Sequence, residues 1–189
     1  MKNVKSEMKI KLLAGFFVVF VFATVNLFGQ QEEKAIKLDA EINAPVSEVW
    51  KAWTTEDGVK SFFAPGCKIN LKVDGEYEMY FDPLGQEGTR GGEGNKILAI
   101  DPERMFSFTW NAPPLYPEIR KQKTLVILHF EKIDEKKTML HFIQIGWGDS
   151  EEWNKVYEYF SYAWSKIVLP RLQYRFDHGP IDWNNPPQM

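Results

Sequence analysis

The sequence has one cysteine and three histidines, too few for most metal or covalent chemistry. A single cysteine excludes an intrachain disulfide and every metal site built from several cysteines. Cys67 precedes a predicted strand, and we expect a small, buried apolar residue there rather than a reactive thiol. The spacing of the histidines suggests no Ser-His-Asp or Cys-His arrangement. We therefore predict no catalytic residue, no metal site and no cofactor.

A phosphate-binding loop is also lacking, although glycines are frequent between residues 85 and 94. This cluster precedes a predicted strand rather than a helix, and it does not end in Gly-Lys-Ser/Thr. No helix N-terminus is then present to bind a phosphate group. We interpret the segment as a flexible hairpin loop.

Basic charge is scarce beyond the N-terminus. The chain has 23 Lys and Arg against 26 Asp and Glu, a net charge of −3. Four of the lysines and one acid lie in the first eleven residues, so residues 12–189 have 19 basic and 25 acidic side chains, a net charge of −6. Nucleic acid and anionic membrane surfaces would be repelled by such a domain. The length of 189 residues and the 44% apolar content fit one globular domain.

One long apolar run covers 17 residues, 12–28, and only Thr24 and Asn26 interrupt it. A lysine-rich stretch precedes it and the polar string QQEEK follows, which is the layout of a secretory signal peptide. We predict a signal peptide in residues 1–30, with translation starting at Met1 or Met8. The alternative is an uncleaved membrane anchor, because 17 residues are close to the minimum for a bilayer span. Either reading exports the rest of the chain, to the periplasm or out of the cell.

The exported part begins with one predicted strand, which is followed by two predicted helices. Residues 34–42 have a period of two, which predicts a strand. Asn43 is a candidate N-cap for a helix over 46–53, where the apolar spacing is helical. Thr55 is a candidate cap for a second short helix that ends at Phe63.

A period of two then continues for about eighty residues. We predict a hairpin around Asp74-Gly75, two strands separated by Asp101-Pro102, and a second hairpin around residues 134–136. The predicted strands are residues 68–73, 76–81, 94–100, 104–110, 124–132 and 138–147.

The last element is a long amphipathic helix. Apolar residues keep helical spacing from Trp153 to Leu172, and Asp149 or Ser150 can cap the start. Pro170 should kink this helix or split off its last turn. An irregular tail, residues 179–189, follows, and we expect Trp183 to dock on the domain.

This order predicts an α+β fold. Six consecutive strands with hairpin-length connections favour an antiparallel sheet. Such a sheet needs one covered face, and the C-terminal helix is the large amphipathic partner. We predict a curved antiparallel sheet around a long C-terminal helix.

Four strings carry a resemblance to a known family: INAPVSEVWKAWTT, VDGEYEMYFDP, GNKILAIDPERMFSFTW and KTMLHFIQIGWG. With these strings the chain resembles the START-like (SRPBCC) superfamily, in the branch named after the C-terminal domain of the activator of the Hsp90 ATPase. The resemblance covers residues 31–178 and implies a helix-grip fold with an apolar cavity between sheet and helix. Superfamily members include ligand carriers, cochaperone domains and cyclases, so one reaction is not implied. The predicted signal peptide departs from the cochaperone pattern and argues against a cytosolic chaperone.

The resemblance and the strand parity together predict that the protein binds a small hydrophobic molecule or lipid. Gln144 would be the polar group of an aromatic-lined cavity. The alternative is a packed core in which Gln144 bonds to a backbone group or a water. The candidate ligand-binding residues are Tyr77, Met79, Phe81, Phe108, Trp110, Phe142, Gln144, Trp153, Tyr157 and Phe160.

Two other functions stay open. The first is an enzyme that uses the cavity, with Gln144, Tyr77 or Tyr157 as polar groups. The second is an interaction module that uses the outer sheet face, where the parity predicts an apolar patch. A homodimer is the simplest partner, and cover by Ile181 and Trp183 of the tail is the alternative. The predicted outward pairs are Leu125 with Ile145, Ile127 with Ile143, His129 with His141, and Glu131 with Met139.

The pairing of His129 with His141 invites a metal site, but a third ligand is lacking. We interpret the two imidazoles as a solvated pair. If a dimer forms, their protonation should weaken it below about pH 6.

Overall fold

The computed structural model describes residues 33–189, so the predicted signal peptide or anchor, residues 1–30, lies outside the described residues. The strands are β1 (Ile36–Ile42), β2 (Gly66–Ile69), β3 (Tyr77–Tyr80), β4 (Ile97–Asp101), β5 (Met105–Asn111), β6 (Lys123–Asp134) and β7 (Lys137–Ile145). The helices are α1 (Val46–Thr54), α2 (Glu56–Lys60), α3 (Pro117–Arg120), α4 (Glu151–Tyr162) and α5 (Leu169–His178), with a π-helical segment (Ala163–Val168) between α4 and α5. In this part of the chain, every helix is too short or too polar to cross a membrane.

Five strands form an antiparallel sheet in the order β1-β7-β6-β5-β4, and β2 and β3 pair separately. The register of the β6–β7 hairpin is the predicted one, because His129 lies opposite His141 and Phe130 opposite Leu140. The period-two pattern therefore assigns each side chain of these strands to the correct face. The α+β prediction with a curved sheet around a C-terminal helix is confirmed.

The caps of the first two helices differ from each other. Thr55 caps α2 as predicted, since its Oγ1 accepts a hydrogen bond from the Gly58 amide at 3.0 Å. Asn43 does not cap α1, which begins after Pro45 without a side-chain cap. The Asn43 side chain instead donates to Asp177 Oδ1 at 3.0 Å. The prediction for Asn43 was wrong because Pro45 occupies the N-cap position, so Asn43 lies two residues before it.

The first hairpin has shorter strands and a wider turn than predicted. Its last strand pair joins Ile69 and Tyr77, and Asn70 N donates to Glu76 O at 2.9 Å. Asp74-Gly75 therefore belongs to a longer loop rather than a two-residue turn. A Cβ on Gly75 would lie 1.9 Å from the Asn70 carbonyl oxygen, so this position requires glycine.

The C-terminal helix begins where the sequence indicates and passes Pro170 without ending. Ser150 caps it, since its Oγ accepts a hydrogen bond from Trp153 N at 3.2 Å. An α-helical proline clashes with the carbonyl four residues earlier. Here the π-helical segment ends at Val168, two residues before the proline, and Leu169 N donates to Trp164 O, five residues back. The helix continues through Pro170 to His178, so the predicted separation of a last turn does not occur.

The tail packs near the end of α2. Trp183 Nε1 donates to Lys60 O at 2.6 Å, and Ile181 N donates to Ser61 O at 2.9 Å. Trp183 thus docks as predicted. The hypothesis that Ile181 and Trp183 cover the outer face of β6 and β7 is wrong, because both residues are held at the helical side of the sheet.

Candidate functional site

The middle of the space between sheet and helix is filled with aromatic rings. Tyr77, Met79, Phe108 and Phe142 are fully buried. The rings of Tyr77 and Phe108 are 4.4 Å apart, and those of Phe142 and Trp164 are 4.6 Å apart. These four predicted ligand-binding residues form packed core here, and none of them lines either of the two cavities described below.

The buried amide of Gln144 has protein partners on both of its ends. Its Nε2 donates to Thr124 Oγ1 at 2.8 Å, and its Oε1 accepts from Trp164 Nε1 at 2.7 Å. The sequence left two possibilities for Gln144, contact with a ligand or a bond to a backbone group or water. Both of its partners are side chains, so neither possibility describes it fully. Its burial fits the packed-core alternative, and the residue does not line the cavity described below.

The remaining polar candidates are engaged in the fold. The Tyr77 hydroxyl donates to Trp53 O at 2.7 Å, and the Tyr157 hydroxyl donates to Ala35 O at 3.0 Å. Trp153 packs edge-on against Trp147, with ring centroids 6.1 Å apart. None of these three candidates lines the larger cavity, which is described next.

A cavity of about 190 Å³ lies to one side, against the π-helical segment. Three predicted residues line it: Phe81, Trp110 and Phe160. Phe81 is partly exposed, whereas Trp110 and Phe160 are buried. The complete lining is Phe63, Phe81, Trp110, Tyr159, Phe160, Ala163, Trp164, Ile167, Val168 and Arg171. The walls are therefore almost entirely aromatic and aliphatic.

A smaller cavity of about 60 Å³ shares Phe81, Trp110 and Phe160 with the first one. Its far side is the glycine-rich loop and Arg120. Any side chain on Gly92 would crowd the Trp110 ring, since a Cβ there would lie 3.0 Å from it. Glycine at this position lets the loop approach the indole closely.

The glycine-rich loop is held by more hydrogen bonds than a flexible hairpin loop needs. The carboxylate of Glu93 accepts from Gly88 N at 3.0 Å and from Arg90 N at 2.8 Å. The Arg120 guanidinium donates to the carbonyls of Ala112 and Gly91, each at 2.5 Å. These bonds hold the loop as a wall of the smaller cavity.

Two buried donors in the cavity-lining residues lack an acceptor among the described residues, Arg171 Nε and Trp110 Nε1. The Arg171 guanidinium lies over the Trp183 ring at 5.3 Å and forms no ion pair in the described part of the chain. Burial lowers the pKa of Arg171. The polar side chains of the lining are thus Arg171, the two indoles and Tyr159, whose hydroxyl can donate or accept.

Seven of the ten lining residues are absent from the candidates predicted from the sequence, and Phe63, Tyr159 and Arg171 are among them. Phe63 follows a short helix, where strand parity gives no guidance. Arg171 could have been found, because it lies four residues after Ile167 on the apolar stripe of the helix. A charged residue at a stripe position indicates either a buried partner or a site.

The outer sheet face has the predicted pairs, with Leu125 opposite Ile145 and Ile127 opposite Ile143. All four side chains are half-buried. His141 bonds through Nδ1 to Asp39 at 2.7 Å and through Nε2 to Glu131 at 3.1 Å. These carboxylates raise the pKa of His141. No group of three or more ligands able to hold a metal ion occurs among residues 33–189.

Cys67 is half-buried at the start of β2, and its Sγ lies 3.7 Å from Glu56 O. Burial raises the pKa of this thiol to about 11. Since the thiolate is the reactive form, a thiol that stays protonated is a poor nucleophile. The geometry agrees with the prediction of an unreactive cysteine.

Comparison with known proteins places this geometry in a family. The family model for "Activator of Hsp90 ATPase homolog 1-like protein" matches residues 43–172. No curated protein matches the chain.

Solved structures share the fold at low sequence identity. Protein MLL2253 from Mesorhizobium loti is 16% identical with a TM-score of 0.61, over 78% of this chain and 100% of that one. The Aha1 dimer from Colwellia psychrerythraea is 17% identical with a TM-score of 0.60, over 77% and 98%. An HSP90 activator from Plasmodium falciparum is 16% identical with a TM-score of 0.56, over 77% and 96%. At such identities these similarities establish the fold alone.

Proposed function

Because the chain belongs to the family of Activator of Hsp90 ATPase homolog 1-like proteins, we propose that it binds a small hydrophobic or amphipathic molecule and catalyses no reaction. The observation that carries this proposal is the cavity of about 190 Å³ beside the π-helical segment. An apolar cavity of about 150 Å³ is large enough to bind benzene in an engineered protein. A π-helical turn in a long helix is also frequent at functional sites.

Binding without catalysis is favoured by the state of the polar residues. A general acid or base must reach the reacting atoms. The side-chain polar atoms of Gln144, Tyr77 and Tyr157 are all bonded to the fold, and none of these residues lines the cavity. The carboxylates and histidines of the described chain are likewise absent from the lining.

The test is native mass spectrometry of protein purified after expression of the full-length chain, with identification of released small molecules. Ala163→Leu should fill part of the cavity and reduce the retained ligand. Lys166→Leu is the matched control, because Lys166 lies in the same π-helical segment but is exposed. Equal ligand content in both variants, or a wild type that never retains or binds a small apolar compound, would overturn the proposal.

We also propose that this binding takes place outside the cytoplasm. Support comes from residues 1–30, where a lysine-rich start precedes an apolar run and a polar string. The mature N-terminus should then lie near Gln30 or Gln31. N-terminal sequencing of protein from the native host would reject cleavage if Met1 or Met8 were recovered, and fractionation would then separate an anchor from a cytoplasmic protein.

Self-association through the outer sheet face is a second function. The pairs Leu125–Ile145 and Ile127–Ile143 form an apolar patch on β6 and β7, and the tail packs elsewhere. A two-fold axis lets such a patch contact its own copy. The protein from Colwellia psychrerythraea described as a dimer supports a second copy as the partner.

Analytical ultracentrifugation tests this association. Wild type should sediment as a dimer and Ile127→Lys as a monomer, because the lysine would place an unpaired charge in the interface. Leu84→Lys is the control, since Leu84 is 98% exposed in a loop. A wild-type monomer at all concentrations tested would exclude the dimer.

A further inference from the structure

Arg171 is the charged residue in the wall of the larger cavity. It lies on α5, four residues after Ile167 and three residues after the end of the π-helical segment. Its neighbours in the lining include Trp164, Ile167 and Val168, all of them apolar. Arg171 is partly buried, so its guanidinium loses part of its hydration, and a buried anion partner would compensate that loss.

The structure supplies no such partner from the described residues. Arg171 Nε is buried without an acceptor. By contrast, Arg175 on the same helix donates Nε to Ser61 Oγ at 3.0 Å, and Arg120 donates to the carbonyl of Gly91 at 2.5 Å. Burial lowers the pKa of Arg171, and no carboxylate opposes that effect. An arginine still keeps its proton in proteins, so the group is a cation that contacts the Trp183 ring and has no carboxylate partner among the described residues.

A second donor lies in the same wall. The indole Nε1 of Trp110 is buried without an acceptor, and the residue is only 3% exposed. Buried indole N–H groups usually find a partner. The lining as a whole has one positive charge, that of Arg171, and no carboxylate.

We propose that the ligand is a monocarboxylate whose head group pairs with Arg171 and whose apolar body fills the cavity. The inference rests on the proposed ligand-binding function and specifies its chemical class. Carboxylate and guanidinium form charge-assisted, often bidentate hydrogen bonds. An apolar body of about six to ten carbon atoms is a suitable size, because a cavity somewhat smaller than this one encloses benzene. Short fatty acids and arylalkanoic acids both fit this description.

The experiment compares each acid with the alcohol of the same skeleton. Octanoate and 1-octanol represent aliphatic ligands, and 3-phenylpropanoate and 3-phenyl-1-propanol represent aromatic ones. Isothermal titration at pH 7.5 should show wild type binding the preferred acid about ten- to a hundredfold more tightly than its alcohol, the range expected for a hydrogen-bonded charge. Arg171→Gln should remove this preference, because binding of the acid should weaken far more than binding of the alcohol. The acid that binds more tightly shows whether the ligand is a short fatty acid or an arylalkanoic acid.

Controls separate the ligand class from the binding function. Arg171→Lys retains the charge and should keep most of the preference, and Arg104→Gln, at an exposed arginine of the β4–β5 turn, should change nothing. Thermal unfolding checks that each variant is folded. If Arg171→Gln does not fold, the salt dependence of wild type decides, since salt should weaken binding of the acid only.

Three results have different meanings. Acid and alcohol binding with equal affinity, or Arg171→Gln weakening both equally, would overturn the carboxylate while the cavity function stands. Binding of neither compound, or binding that Ala163→Leu leaves intact, would overturn the cavity function itself. A preference for the acid that Arg171→Gln abolishes supports both.

Discussion

The indole of Trp164 donates a 2.7 Å hydrogen bond to the side-chain carbonyl of Gln144. Gln144 belongs to β7, and Trp164 belongs to the π-helical segment. The bond therefore fixes the helix to the sheet at the edge of the larger cavity, where Trp164 forms part of the wall. Gln144 also bonds to Thr124 on β6, so one amide joins three elements. Its role is to position Trp164 rather than to contact a ligand.

Replacing Gln144 with Leu should lower the free energy of unfolding by about 2 kcal/mol, because Trp164 Nε1 and Thr124 Oγ1 lose a buried partner. Urea unfolding measures this change. Gln173→Leu is the control, since Gln173 is exposed and donates only to Glu41 O at 3.1 Å. A change in ligand selectivity at unaltered stability would contradict the positioning role.

A structural feature can be predicted from the sequence when the residues that cause it are close together in the chain. The hairpin of β6 and β7 follows from alternating side chains, so its register was predicted residue by residue. Ser150 and Thr55 are caps with local partners, and these predictions are confirmed. Asn43 has a partner 134 residues away, which no local pattern contains.

The cavity was harder to locate from the sequence. The alternation of side chains along a strand shows which of them point into the core, but not which parts of the core are packed and which are empty. Phe108 and Trp110 have the same parity on β5, yet the structure gives only Trp110 a cavity to line. The difference arises from packing between distant elements, since Phe108 meets Tyr77 at 4.4 Å. Likewise the π-helical segment depends on how the helix fits the sheet as well as on Pro170.

Trp183 should be needed for the packing of the tail and for the position of Arg171. Its indole donates to Lys60 O at 2.6 Å, and its ring lies beneath the Arg171 guanidinium. Trp183→Ala should cost about 2 to 3 kcal/mol of stability, since a large, partly buried ring and one hydrogen bond are lost. Trp183→Phe keeps the ring and should cost about 1 kcal/mol. Equal stability of all three proteins in urea unfolding would show that the tail is not docked in solution.

Cys67 should react slowly with thiol reagents in the folded protein. Burial raises its pKa to about 11, so at pH 8 the reactive thiolate is a minor form. Iodoacetamide labelling followed by mass spectrometry should proceed at least tenfold more slowly in native buffer than in 8 M urea, where the pKa returns toward about 8.5. Native labelling as fast as in urea would contradict the burial of the thiol.

His141 should make the stability of the domain depend on pH, because Asp39 on β1 and Glu131 on β6 bond to its two ring nitrogens. These carboxylates raise the pKa of His141 above its usual value, so the folded protein holds the proton more tightly than the unfolded chain. The resulting stability is complete below the unfolded pKa of about 6.5 and is lost as pH rises through the raised folded value. The carboxylates also offset the repulsion between His129 and His141 that the sequence alone suggests.

Urea unfolding of wild type and His141→Asn from pH 5.5 to 8.5 measures this effect. The stability difference should be largest at pH 5.5 and decrease toward pH 8.5, and it should stay below about 1 kcal/mol because the side chains are largely exposed to solvent. The variant Asp39→Asn/Glu131→Gln removes both carboxylates and should abolish the pH dependence of the His141 contribution. A difference that grows with rising pH would mean that the neutral imidazole is the favoured form in the folded protein, and the assignment of the two carboxylates as its partners would then be wrong.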